Sequence, residues 1–119
     1  MQNEAIKTKP DRVLSMLGIA AKAGKVVSGE FATENAVKAG KAFLVVIAGD
    51  ASDNTTKKFR DMTDFYRVPF ACYGTKDSLG GCIGKDYRSS LAVTDEKLAE
   101  AVKNKLKQVE ALAAEAVRI

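Results

Sequence analysis

Few residues in this chain are spaced for catalysis. Histidine is absent, which removes the most frequent general base, the base of nucleophilic triads and the commonest zinc ligand together. Cys72 and Cys82 lack the spacing of a metal-binding pair, and with no secretion signal ahead of them they are expected to be reduced and packed, without a disulfide. The stretch 74–81, Gly-Thr-Lys-Asp-Ser-Leu-Gly-Gly, has neither the glycine-to-lysine spacing of a Walker loop nor a Gly-x-Gly-x-x-Gly order, so helix capping by Thr75 is the better reading. Asp50, Ser52 and Asn54 set oxygen atoms at partly calcium-like spacing, yet Thr55 stands where a calcium loop needs glycine and Asp61 where it needs glutamate. No carboxylate pair is isolated among apolar residues, so no acid–base couple can be nominated. The expectation is a protein with no catalytic residue, no metal and no cofactor.

Binding chemistry is better represented. Residues 22–40, Lys-Ala-Gly-Lys-Val-Val-Ser-Gly-Glu-Phe-Ala-Thr-Glu-Asn-Ala-Val-Lys-Ala-Gly, join two helix signals through a short extended segment. Ser28 reads as the N-cap of the second helix, Gly29 lets a ligand approach the backbone, and the unpaired N–H groups of a helix start suit phosphates or base edges. Two further polar loops, residues 49–54 and 84–89, carry glycines, and Lys25, Lys85 and Arg88 flank the set.

Elements of alternating type must position these loops. Residues 1–7 have no periodic pattern and are expected to fray. Thr8 as N-cap and Pro10 in the first turn open a helix with an apolar stripe at Val13, Leu14, Met16, Leu17, Ala20 and Ala21, stopped by Gly24. An extended piece at 25–27 leads to a second helix ending at Gly40. Residues 43–48, Phe-Leu-Val-Val-Ile-Ala, suit a strand covered on both faces. The next helix carries Phe59, Met62 and Phe65 or Tyr66 inward, and residues 70–73 read as a second buried strand. A short helix from Thr75 buries Leu79, Cys82 and Ile83, residues 90–93 form a third clear strand, and a long helix over 95–118 ends the chain. Strands alternating with helices predict one α/β domain over residues 1–119, a three-layer α/β/α sandwich with a small mixed sheet. Loops at one end of such a sheet converge, so the three polar loops form a composite site for RNA phosphates and base edges.

Composition agrees with a soluble domain of this kind. The chain has 119 residues, 46% of them hydrophobic, and a net charge of +4, which favours a polyanionic partner. Aromatic residues make up 7% and tryptophan is absent, which does not suggest a sheet of base-stacking platforms. The longest apolar run, residues 42–48, is of strand length, and the polar N-terminus lacks a signal-peptide core, so a cytoplasmic protein without membrane attachment is expected.

Four motifs in order resemble one family. They are Leu-Gly-Ile-Ala-Ala-Lys-Ala-Gly-Lys-Val-Val-Ser-Gly-Glu at 17–30, Ala-Gly-Asp-Ala-Ser-Asp-Asn-Thr-Thr-Lys-Lys at 48–58, Tyr-Arg-Val-Pro at 66–69 and Leu-Gly-Gly-Cys-Ile-Gly-Lys at 79–85. Together they are similar to the YlxQ-like bacterial branch of the L-seven-Ae ribosomal protein family, over residues 11–101. The resemblance implies an α/β/α sandwich that binds kink-turn RNA, in which tandem sheared G·A pairs sit beside a sharp bend. It implies that segment 29–35 enters the major groove and that loop 84–89 covers extruded bases. The RNA-binding residues are then Lys25, Ser28, Gly29, Glu30, Phe31, Ala32 and Asn35, with Gly84, Lys85, Asp86, Tyr87 and Arg88. Archaeal binders of the family carry Asn, Glu and Lys where this chain has Phe31, Ala32 and Asn35, and Asn35 can replace a lysine's hydrogen bond but not its charge. The expected function is non-catalytic binding of kink-turn or other structured RNA, possible partners including ribosomal RNA. The alternative is a protein-interaction module on the same scaffold, using Phe31 and a final helix open to self-association, that has lost specific RNA binding.

Overall fold

The computed structural model describes residues 11–117, with side chains described to Glu110. Its elements run α1 Arg12–Lys22, β1 Val26–Ser28, α2 Glu30–Lys38, β2 Leu44–Ile47, α3 Asp53–Tyr66, β3 Phe70–Cys72, α4 Lys76–Cys82, β4 Ser90–Val93 and α5 Glu96–Val117. The expected fraying of residues 1–7, the Thr8 cap and Pro10 lie outside the described residues. Asp11 caps α1, its Oδ1 accepting the Leu14 N–H at 2.9 Å.

The four strands order as β1-β4-β2-β3. β4 runs antiparallel to both β1 and β2, and β2 and β3 are parallel, so the sheet is mixed as expected. Side chains along a strand alternate between faces, and β2 divides accordingly. Leu44 and Val46 join Val13, Leu17, Leu79, Leu91, Val93 and Val102 in one core. Val45 and Ile47 join Val37, Phe59 and Ala92 in the other. The first core is closed by α1, α4 and α5 and the second by α2 and α3, which gives the three layers. Burial on both faces explains why this strand is an unbroken apolar run.

Three expectations from the sequence need correction. β3 is an edge strand with β2 as its sheet neighbour; Phe70 and Ala71 are half-buried and Cys72 is exposed rather than packed. Phe65 is 75% exposed. Six residues beyond the buried Phe59, it points away from the core, while Thr63 takes the inward position and donates its hydroxyl to the Phe59 carbonyl at 2.7 Å. The long final helix is present as expected: in α5 the inward stripe is Leu98, Ala99, Val102 and Leu106, and Val109 is exposed, so the helix outruns the body it packs on.

Candidate nucleic-acid interface

Register places the end of β1, the end of β2 and the start of β4 at one end of the sheet: Ser28 lies opposite Leu91, and Ile47 opposite Ser90. The polar loops therefore meet. Gly29 N–H donates to the Ser90 carbonyl and Ala48 N–H to the Ser89 carbonyl, each at 2.9 Å. The Asp50 carboxylate accepts the Lys76 N–H at 2.8 Å, and the Lys76 carbonyl accepts the Arg88 N–H at 3.0 Å, which ties the loop after β2 to the loop before β4 through the start of α4.

Gly29, not Ser28, is the N-cap of α2. Its φ of 96° and ψ of 157° suit glycine, and no side chain caps the helix. Ser28 remains in β1, where its hydroxyl accepts from Arg88 Nε at 3.0 Å. Arg88 Nη1 also donates to the Tyr87 carbonyl at 2.8 Å, so two of its five N–H donors pin the loop and three stay available. The first-turn N–H groups of α2 have no intrahelical acceptor and point out of the helix start.

Around that uncapped start, Glu30, Phe31 and Asn35 are exposed and Ala32 is half-buried. Phe31 is 77% exposed, and in the facing loop Tyr87 is 69% exposed. Gly84, Lys85 and Asp86 are exposed too. The loop turns at Gly84, with φ of 76°, and is held down by Lys85 N–H on the Gly80 carbonyl at 2.8 Å. Lys25 is not brought to this edge. It precedes β1 at the opposite end of the strand, about 10 Å from Ser28 by strand rise, where its carbonyl accepts the Thr94 N–H.

Sequence reasoning missed Lys58 and Lys76. Lys58, from α3, reaches α2 with Nζ 2.7 Å from Glu30 Oε2 and 2.9 Å from Glu34 Oε1, and Glu34 Oε2 is 2.7 Å from Lys38 Nζ. Hydrogen bonds from Lys38 and then Lys58 hold the Glu34 carboxyl down at about 2. Glu30 and Glu34 raise Lys58 in turn. The Glu34–Lys38 pair was legible as an i,i+4 spacing; nothing in the sequence links Lys58 to Glu30, 28 positions away. Among the described residues no group of three or more histidine, cysteine, aspartate or glutamate side chains could hold a metal ion. No described helix is long and apolar enough to cross a membrane.

Comparison with known proteins bears on the family and the fold. The model of the family described as "Ribosomal protein L7Ae/L30e/S12e/Gadd45 family" matches residues 11–103. The chain is 42% identical over 84 residues to "RNA-binding protein YlxQ" of Bacillus subtilis (strain 168), covering 71% of this chain and 84% of the relative. It is 33% identical over 92 residues to "RNA-binding protein YlxQ" of Enterococcus faecium, covering 77% and 88%. Among solved structures, a protein of unknown function from Bacillus halodurans aligns with a TM-score of 0.80 at 32% identity, over 82% of this chain and 99% of that one. The Giardia lamblia 15.5kD RNA binding protein aligns with a TM-score of 0.71 over 94% of this chain and 99% of that one; at 23% identity it speaks for the fold alone.

Proposed function

The chain belongs to the L7Ae/L30e/S12e/Gadd45 family of ribosomal proteins, in its YlxQ-like branch, and from that premise we propose that it is a non-catalytic RNA-binding protein of the cytoplasm that recognises a kink-turn or similarly bent structured RNA. The observation that carries this reading is the uncapped start of α2 at Gly29, set beside the loop that Arg88 ties to Ser28. A bent RNA crowds phosphates and opens base edges at one place. Outward N–H groups on a positive helix end answer the first feature. The polar side chain of Asn35 answers the second, and Tyr87 offers a ring face to a base released from the stack. Lys85 and the remaining donors of Arg88 supply charge. Lys25, at the far end of β1, is outside this footprint.

A gel shift with a kink-turn duplex, beside a control whose G·A pairs are replaced by Watson–Crick pairs, tests the reading. The expected result is a preference for the kink-turn of roughly tenfold or more, about 1.4 kcal/mol. Equal weak binding to both duplexes refutes it and favours the protein-interaction reading, which the exposed Phe31 ring supports.

A further inference from the structure

We propose that Lys58 is a positioning residue for this RNA edge: it neutralises and holds Glu30 and Glu34 so that the first turns of α2 can lie against phosphates, and it makes no phosphate contact itself. The inference rests on the RNA-binding reading above. That reading leaves a difficulty, because the helix offered to a polyanion carries two carboxylates one turn apart. Unpaired, both repel phosphates across a Debye length of about 8–10 Å.

The structure meets this with an alternating chain of charges, Glu30, Lys58, Glu34, Lys38, with successive contacts of 2.7, 2.9 and 2.7 Å. Two acids and two bases sum to zero. Lys58 is the member that comes from outside α2, and its ammonium engages both carboxylates at once. Its side chain is 37% exposed, against 52% for Lys38. Turning toward a phosphate requires it to abandon two ion pairs, whereas Lys85 is exposed and in none of the ion pairs among the described residues. Lys58 occupies Glu30 through Oε2 alone, so the carboxylate keeps acceptor capacity for a base N–H. With or without the lysine the Glu34 carboxyl is ionised at neutral pH, because even the ordinary glutamate value of 4.5 lies well below 7, so protonation cannot substitute for Lys58.

The test compares Lys58→Met with the double variant Glu34→Gln/Lys58→Met, using the full chain and a kink-turn duplex from low to physiological salt. Lys58→Met leaves one net negative charge on the chain of side chains and is expected to weaken binding roughly five- to tenfold at low salt. The double variant removes the other acid that Lys58 holds, matches the wild-type charge and leaves Glu30 unaltered, so it returns to within about threefold of wild type. A phosphate contact by Lys58 predicts instead that the double variant stays as weak as Lys58→Met, with a salt slope smaller by about one. A purely structural tie between α2 and α3 also predicts no rescue, since the tie is still missing. Either result, or a Lys58→Met protein that binds like wild type, overturns the proposal while the RNA reading stands. A wild-type chain without preference for the kink-turn refutes both.

Discussion

Gly80 sets the height of the loop before β4, and Gly80→Ala measures how far binding depends on that loop. Gly80 is buried in α4, and a Cβ there would collide with the Asp86 carbonyl oxygen, falling 2.5 Å from the Asp86 carbonyl carbon and 3.2 Å from the Tyr87 nitrogen. The oxygen lies nearer still, so relief to an ordinary contact near 3.5 Å needs a backbone shift of about 2 Å. The loop cannot follow freely, because the Lys85 and Arg88 N–H groups and Arg88 Nε hold it at both ends with bonds of 2.8 to 3.0 Å. Alanine gains about 1 kcal/mol of helix propensity over glycine. Overpacking costs about 1–3 kcal/mol, and each displaced hydrogen bond about 0.5–1.5 kcal/mol more. The net expectation is a loss of about 1–3 kcal/mol. Gly81→Ala is the matched control, since its Cβ meets nothing within 4 Å; there propensity acts alone and stability rises by about 0.5–1 kcal/mol. Each kcal/mol moves the melting temperature of a domain this size by about 4–8 °C. Thermal unfolding and RNA titration of both variants are the assay. Gly80→Ala should melt below wild type and bind RNA more weakly, and Gly81→Ala should melt above it and bind normally. A Gly80→Ala protein that melts and binds like Gly81→Ala would refute the packing argument.

Asn35→Lys adds charge to an exposed position on the same helix; tighter kink-turn binding with a salt slope steeper by about one is expected in a salt titration, and unchanged binding would remove residue 35 from the interface. Tyr73 donates its hydroxyl to Asp11 Oδ2 at 2.7 Å, and burial followed by that bond pushes its pKa from 10.0 up to about 12. The folded state then keeps a proton that the unfolded state releases near 10, so stability fully present below pH 10 is lost as pH rises through about 12. Urea midpoints across that window should fall more for wild type than for Tyr73→Phe, and parallel curves would count against the tether.

How much of this the sequence disclosed follows from the range of each interaction. β2 was legible because burial on both faces leaves an unbroken apolar run, and the cap at Thr75 because it is a contact over three residues, Ser78 N–H to Thr75 Oγ1 at 3.0 Å. β3 was misread because Phe-Ala-Cys is equally apolar in an edge strand and a central one; pairing order alone separates them. Ser28 has the residue type of an N-cap, but Arg88, 60 positions later, claims its hydroxyl, and the chain turns into α2 at Gly29 instead. Lys25 looked close to Ser28 in sequence and lies at the other end of an extended strand. Lys58 and Lys76 looked remote, and the fold carries both to the edge. The motifs thus picked out segments that the fold brings together at one end of the sheet, while the partners that hold their side chains depended on the topology.

Chemical-shift mapping of backbone amides during titration with a kink-turn RNA bears most directly on where the chain grips its ligand. The largest changes should fall on residues 29–35 and 84–89, with Lys25 and residues 40–43 at the opposite end of the sheet unmoved. Changes centred on that opposite end, or spread along α5, would contradict an RNA edge built at the start of α2.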